Sequence, residues 1–396
     1  MDTKTASRAR LDAVRADLIA LSHRIHAHPE LGFEEERAST WLAETLTEAG
    51  FTVTRGICEL STAFLARAGD GPLHLAICAE YDCLPGIGHA CGHNIIAAMA
   101  AGAGIAAAAV ADDVGLTVHV IGTPAEEMGG GGKILLLDRG AFAGMHAAMM
   151  VHPAPMDEVT PVSLANSYFE VRYTGQAAHA AAFPERGVNA ADAMTIAQVA
   201  IGLLRQQIRP TDRIHGIITK GGDAPNIIPA HTAAKYAVRA QTVDDLEAIR
   251  TKVLRCFEAG ALATGASLEI GGQRHPYAQL RHDPELAAAY RRNAEALGRV
   301  FPDPTAPSRP GGSTDMGNVS LALPSIHPKI GIDSLPATNH QPEFAAHCIT
   351  PSADQALVDG ALAMVWTAID LAQTASIRTR LLGCTSASAE TCSGDA

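Results

Sequence analysis

The residues able to hold a metal ion or move a proton gather where runs of apolar residues end. Residues 80–94 read EYDCLPGIGHACGHN, so Asp82, His89, Cys91 and His93 fall within twelve positions. Thiolate and imidazole are strong ligands for zinc and similar ions. Gly88 and Gly92 permit tight bends, so Cys91 and His93 can converge on one ion; the plainer alternative is a buried thiol beside a histidine at a helix start. A second cluster, Glu126 and Glu127, follows the apolar segment 116–121. Adjacent carboxylates at a strand end point apart. One can hold a metal while the other faces water, a division that suits hydrolysis; on its own the pair also reads as a solvated acidic turn. The glycines at 129–132 do not make a phosphate loop, because no Gly stands five residues before Gly132 and Ile134 replaces the required Ser or Thr. His152 ends a third apolar run, and His340 lies in a polar loop, 338–344, that could close a site.

These positions need elements that bring them to one end of a sheet. Leu11, Val14, Leu18, Leu21 and Ile25 recur at spacings of three and four, which predicts an amphipathic helix over 8–28. A second helix is expected over 34–49, stopped by Gly50. Strands are expected over 51–54, 62–67, 73–79, 116–121 and 146–151, with helices over 92–110 and 131–138. In open α/β sheets functional residues collect outside the carboxyl ends of strands, and the three clusters fall there. After Pro161 the texture changes. Strands over 163–173, 213–219, 232–240 and 267–271, with helices over 187–207 and 243–263, suggest a compact α+β unit. Beyond Pro276 come a strand near 325–331 and a closing helix over 353–375. The expected fold class is α/β, with a smaller α+β domain, 161–275, inserted between 1–160 and 276–396. Loops 308–319 and 331–338 are expected to wall the substrate pocket, where Asp315 and Asp333 either meet a cationic group or cap turns. The tail 385–396 reads as loose.

Composition narrows the function classes. The 396 residues carry 30 Lys+Arg against 42 Asp+Glu, a net charge of −12, with 47% hydrophobic and 4% aromatic residues. That is too apolar for a disordered chain. It lacks the basic surplus of a nucleic-acid binder and the aromatic platforms that stack single strands. The uncharged run 95–111 sits at the short limit for a membrane span and reads as a core helix, so no membrane partner is expected. Eight scattered cysteines and no apolar leader-like stretch point to reduced thiols in the cytoplasm.

In order along the chain, the motifs HAHPELGFEE (26–35), HACGHN (89–94), Glu126-Glu127, His152, GQAAHAA (175–181), GGDAPNIIP (221–229) and NHQPEF (339–344) resemble those of the M20 family of dinuclear metallopeptidases and amidohydrolases, in its aminoacylase-like D subfamily. Residues 80–82, 85–94 and 312–320 are similar in detail to the p-aminobenzoyl-glutamate hydrolase B-subunit branch and the related dipeptidase-like branch; Asn94, where auxin-conjugate hydrolases usually carry Asp, favours that branch. The resemblance implies a dinuclear-metal α/β catalytic domain with a ferredoxin-like lid and dimerisation domain. It implies Cys91, His93, Glu127, His152 and His340 as ligands of two divalent ions per subunit, zinc by ligand type or manganese as a family alternative. It implies Glu126 as general base and Asp82 as the acid that orients a ligand. His179 would stabilise the oxyanion, often from the partner subunit, and Asn226 and Arg239 would hold a substrate carboxylate. The implied activity is hydrolysis of the amide bond of an N-acyl or aminoacyl amino acid or small dipeptide by a homodimer built through the lid.

Three other readings compete. A tailoring deacylase of secondary metabolism would use the same machinery with another pocket. A non-catalytic binding homologue would have lost ligands, yet all five ligand positions and both glutamates are present. A Cys91–His93 nucleophile pair fails, because residues two apart rarely align as nucleophile and base and no third orienting group is evident.

Overall fold

A computed structural model describes residues 2–272, 275–303 and 312–384. The tail 385–396 and residues 308–311 of the expected pocket loop lie outside the described residues. The chain separates into two compact units, Met1–Val162 with Leu280–Ala396, and Ser163–Gln279. The junctions fall at 162/163 and 279/280 rather than 160/161 and 275/276. The backbones of Asn166 and Tyr277 pair with each other, and the Gln279 side chain accepts from Val243 N–H, so the chain up to Gln279 stays with the second unit.

The strands in chain order are β1 (Thr52–Arg55), β2 (Phe64–Ala68), β3 (Leu73–Ala79), β4 (Leu116–Gly122), β5 (Ala147–Met149), β6 (His152–Ala154), β7 (Ala165–Thr174), β8 (Arg213–Lys220), β9 (His231–Ala240), β10 (Ser267–Gly271), β11 (Ser325–Ile326) and β12 (Lys329–Gly331). In the first unit, six form one sheet in the order β1-β2-β4-β3-β5-β11, and β12 pairs with β6 separately. The centre is parallel: β3 runs parallel to β4 and β5, and β5 to β11. Both β3 and β4 are covered on two faces, which is why LHLAICA and LTVHVIG read as continuous apolar runs rather than alternating ones.

Helix Thr3–His26 starts five residues before the expected 8, because the Asp2 carboxylate accepts from Thr5 N–H and caps it. Its Leu11, Leu18, Leu21 and Ile25 are buried as the spacing predicts, and each contributes roughly 2 kcal/mol over an exposed position. Helix His93–Ala108 lies wholly in the core, its Ala-rich surface packing closely against Thr3–His26 and Pro351–Gln373. Pro351–Gln373 is long and apolar enough to cross a membrane by length and composition, and most of it is buried inside this unit.

Two expected strands are each broken in two. The run 146–151 becomes β5 followed by β6, and 325–331 becomes β11 followed by β12. Met150 N–H donates to Ile326 O and His152 N–H to Pro328 O, so the two chains leave the main sheet as a pair. Pro328 has no N–H to continue a ladder. His152 therefore opens β6 instead of ending the strand before it.

In the second unit the antiparallel sheet β10-β7-β9-β8 packs against helices Ala190–Leu204 and Val243–Thr264. Its core centres on Phe169, Tyr236 and Phe257, with Tyr236 and Phe257 edge to face at 4.9 Å. The first of these helices starts at Ala190, not Gly187, because Asn189 caps it by accepting from Ala191 and Asp192 N–H. β8 is the edge strand beside β9, and Ile217 and Ile218 on it are exposed.

Candidate metal centre

Each expected ligand comes from a chain segment that the sheet delivers to one end. The segment after β3 carries Glu80, Asp82 and Cys91 into the N-terminus of helix His93–Ala108. Gly92 sits at that junction with φ +80°, and a Cβ there would lie 2.9 Å from the Pro153 ring, so only glycine lets the helix start approach β6. The loop after β4 carries Glu126 and Glu127, and β6 starts with His152. His340 is brought in from the loop before helix Pro342–His347 by its own N–H, which donates to Ala90 O at 2.8 Å.

The side chains converge. Cys91 Sγ lies 3.5 Å from His152 Nε2 and 3.6 Å from His340 Nε2. His340 Nε2 lies 3.5 Å from Glu127 Oε1. Ligand-type atoms of Cys91, His93 and His152 all lie within 4.8 Å of one another, as do those of Cys91, Glu127 and His340, and those of His93, Glu126 and Glu127. The far nitrogens are already engaged. His93 Nδ1 meets Asp82 Oδ1 at 2.8 Å, and His152 Nδ1 meets the Pro153 carbonyl at 2.8 Å. With Nδ1–H donating in both, each Nε2 keeps its lone pair for a metal. Asp82 Oδ2 also accepts from Glu127 N–H at 2.9 Å, tying the two loops together. His93 Nε2 and Glu127 Oε1 are buried without a hydrogen bond among the described residues. Buried polar atoms of this kind are what a bound cation would satisfy.

The electrostatics suit the same occupant. Burial pulls the His93 pKa down, but the Asp82 and Glu80 carboxylates outweigh it and hold it well above the usual value. Burial opposes the Asp82 charge, and His93 reverses that, keeping the Asp82 pKa low. Burial lowers the His152 pKa to about 4, so this ring stays neutral. Burial, with the negative charge of Glu127, pushes the Cys91 thiol up; a bound dication would restore the thiolate. Burial and the neighbouring Glu80 and Glu127 push the Glu126 carboxyl well above the ordinary range; bound dications would pull it back down.

A buried acid–base cluster adjoins the centre. Lys133 reaches Glu80 Oε1 and Asp315 Oδ1, the latter at 2.7 Å, and its N–H donates to Asp315 Oδ2. Carboxylate oxygens of Glu80, Glu126 and Asp315 lie within 4.8 Å of one another. Burial lowers the Lys133 pKa, but Asp315 and Glu80 more than offset it and keep the ammonium charged. Asp315 is thus engaged by Lys133 and fully buried, which leaves it no role at a cationic substrate group. Asp333 accepts from Ser352 Oγ at 2.6 Å. Glu80 and Lys133 were not picked out as site residues by sequence; a lysine after a glycine run carries no signal until the partners 53 and 182 positions away are seen beside it.

His179, Asn226 and Arg239 belong to the second unit. Ala180 N–H donates to Asn226 O at 3.0 Å, and His179 pairs with Ile227, which brings His179 and Asn226 together on the exposed surface. His179 Nδ1 accepts from Ala181 and Ala182 N–H at 3.3 and 3.1 Å, which leaves the ring N–H on Nε2. Arg239 is half-buried on β9, with Nη2 3.4 Å from the Tyr168 hydroxyl.

Comparison with known proteins agrees with this geometry. Residues 76–357 match the group described as Peptidase family M20/M25/M40. The chain is 39% identical over 385 residues to the Xaa-Arg dipeptidase of Mus musculus, covering 93% of this chain and 88% of that one. It is 34% identical over 282 residues to the p-aminobenzoyl-glutamate hydrolase B-subunit of Escherichia coli, covering 65% and 58%. Among solved structures, a dinuclear metal binding peptidase of the M20 family from Bacillus subtilis superposes with a TM-score of 0.68 at 22% identity, covering 92% of this chain and 99% of that one. At that identity the likeness speaks for the fold, an α/β architecture with mixed sheets.

Proposed function

Because the chain belongs to peptidase family M20/M25/M40, and so is a divalent-metal hydrolase of amide bonds, we propose that it is a dipeptidase whose metal centre lies in the first unit. The observation that carries this reading is the convergence of Cys91, His93, Glu127, His152 and His340 beside Glu126. Similarity to a dipeptidase over 93% of the chain favours a dipeptide with a basic C-terminal residue.

Cys91, His93 and His152 would hold one ion, and Cys91, Glu127 and His340 the other. A thiolate with imidazoles favours zinc over manganese. When bound, the ions supply Lewis acidity to the scissile carbonyl and acidify a water molecule. Glu126 takes the proton of the attacking water and returns it to the leaving amine. Asp82 fixes the His93 tautomer. His179, with Nδ1 held by two backbone N–H groups, donates Nε2–H to the oxyanion. Asn226 and the Arg239 fork hold the substrate carboxylate. Exposed Val199 and Leu203 on helix Ala190–Leu204 and Ile217 on the edge strand β8 support a homodimer built through this unit. The unbridged thiols of Cys58, Cys78, Cys83, Cys91, Cys256 and Cys348 support a reducing, cytoplasmic setting.

The test is a turnover screen of metal-stripped protein reloaded with zinc or manganese. Dipeptides ending in Arg or Lys should show the highest kcat/KM, ahead of N-acyl amino acids and p-aminobenzoyl-glutamate. A preference for either of the latter overturns the dipeptide assignment. Turnover that survives stripping overturns the metal mechanism.

A further inference from the structure

The segment 26–35 stands out in the sequence, and the proposed chemistry gives it nothing to do. The structure assigns its last residue, Glu35, a role: we infer that Glu35 is a positioning residue whose carboxylate, through Ala125 N–H, sets the turn that aims Glu126 and Glu127. The inference rests on the reading of those two glutamates as proton carrier and metal ligand.

Glu35 occupies the N-cap position of helix Glu36–Glu48, yet its side chain makes no capping hydrogen bond. Glu30 does that work from outside the helix, its carboxylate accepting from Arg37 N–H and Ala38 N–H. Glu35 instead turns inward and is fully buried. Its Oε1 accepts from Ala125 N–H at 2.8 Å, and its Oε2 accepts from the Thr62 hydroxyl at 2.9 Å. A buried carboxylate is costly unless its oxygens are met, so a residue free to cap a helix at the surface would not be spent this way without a return.

That return lies in the loop. Ala125 has φ +56°, a conformation that residues with a Cβ rarely adopt, and it directly precedes Glu126. Such a turn persists only where its surroundings over-determine it. Glu35 holds it from one side by the hydrogen bond. Gly32, in the same segment, lies against it from another: a Cβ on Gly32 would sit 2.9 Å from Ala125 Cβ and 3.0 Å from its Cα. The segment also braces the loop after β3, since Glu30 O accepts from Cys83 N–H at 2.9 Å, one residue beyond Asp82. One stretch of chain therefore fixes both loops that carry the site.

The experiment compares Glu35→Ala with Glu35→Gln, which keeps an acceptor for Ala125 N–H. Hydrogen exchange over 123–132 reads the turn without any metal or turnover; kcat, KM and bound metal are read on the loaded enzyme. Glu35→Ala is expected to lose protection over 123–132 while 165–174 stays protected, to lose about 100-fold in kcat with KM within twofold, and to release metal more readily to a chelator because Glu127 is misaimed. Glu35→Gln should keep protection and hold kcat within about threefold. Unchanged protection and kcat in Glu35→Ala would overturn the inference, and so would equal losses in both variants. Should the Ala variant fail to fold, Glu35→Asp decides the same way, because it keeps the charge but withdraws the acceptor by one methylene. If the wild type cleaves no amide at all, the dipeptidase reading fails, and hydrogen exchange still settles the role of Glu35.

Discussion

The site around Cys91 and the surface around His179 solve different problems. In the first, Asp82, Cys91, His93, Glu126 and Glu127 are buried, His152 is half-buried and His340 exposed, and three back atoms are committed: His93 to Asp82, His152 to Pro153 O, Asp82 to Glu127 N–H. In the second, His179 and Asn226 are exposed, and backbone hydrogen bonds between two surface segments hold them. Side chains that must meet a metal at fixed distances are locked before any ligand arrives. Side chains that meet a substrate carboxylate or an oxyanion remain open to solvent. The comparison says that damage to the buried set should appear in chemistry and metal affinity, and damage to the exposed set in kcat or KM with metal affinity unchanged.

The largest expected effect tests the buried set. Glu126→Gln should lower kcat by about 10³–10⁴-fold with metal content near normal by elemental analysis; retained turnover would remove Glu126 from proton transfer. His179→Ala comes next, costing about 10²-fold in kcat with no change in bound metal. Mixed Glu126→Gln and His179→Ala protomers should partly restore activity if His179 serves the partner's site. Asp82→Asn should weaken metal binding by about 10–100-fold in a chelator competition, because the His93 Nδ1–H loses its carboxylate; an unchanged affinity would erase the contrast between the two regions.

The last effect is one of pH and is read in stability, not in turnover or metal binding. Burial, with Asp82 nearby, raises the Glu35 pKa from 4.5 to about 7. A raised folded-state pKa gives stability that is complete below 4.5 and is lost as pH rises through 7. Wild type should therefore lose on the order of 3 kcal/mol from this group across that window. Glu35→Gln cannot, so its advantage over wild type in denaturant melts should grow from pH 4.5 to 8. A constant gap would mean that Glu35 is ionised throughout.

Residue types at strand ends brought Cys91, His93, Glu126, Glu127 and His152 forward as candidates, and the resemblance of the motifs to the family divided the roles among them. What could not be read was pairing at long range. Lys133 with Glu80 and Asp315 joins three distant segments, and nothing local marks Asp315 as a partner of an ammonium rather than of a substrate. The broken strands were hidden for another reason. An apolar run such as 146–151 has the same pattern whether it stays in one sheet or steps into a second, and the step depends on Pro328 in the neighbouring chain. The helix starts missed at Asp2 and Asn189 are capping decisions, made by single side chains that periodicity does not weigh.

Lys133 also bears on how the protein matures. Small metal domains often stay unfolded until the ion arrives, because nothing else neutralises their donors. Here the negative charge of Glu80 and Asp315 is met by an ammonium that the chain itself supplies and that no chelator can remove. The floor of the pocket thus carries a cation of its own beside Glu80 and Asp315, and stripping the ions is expected to leave that ion pairing in place.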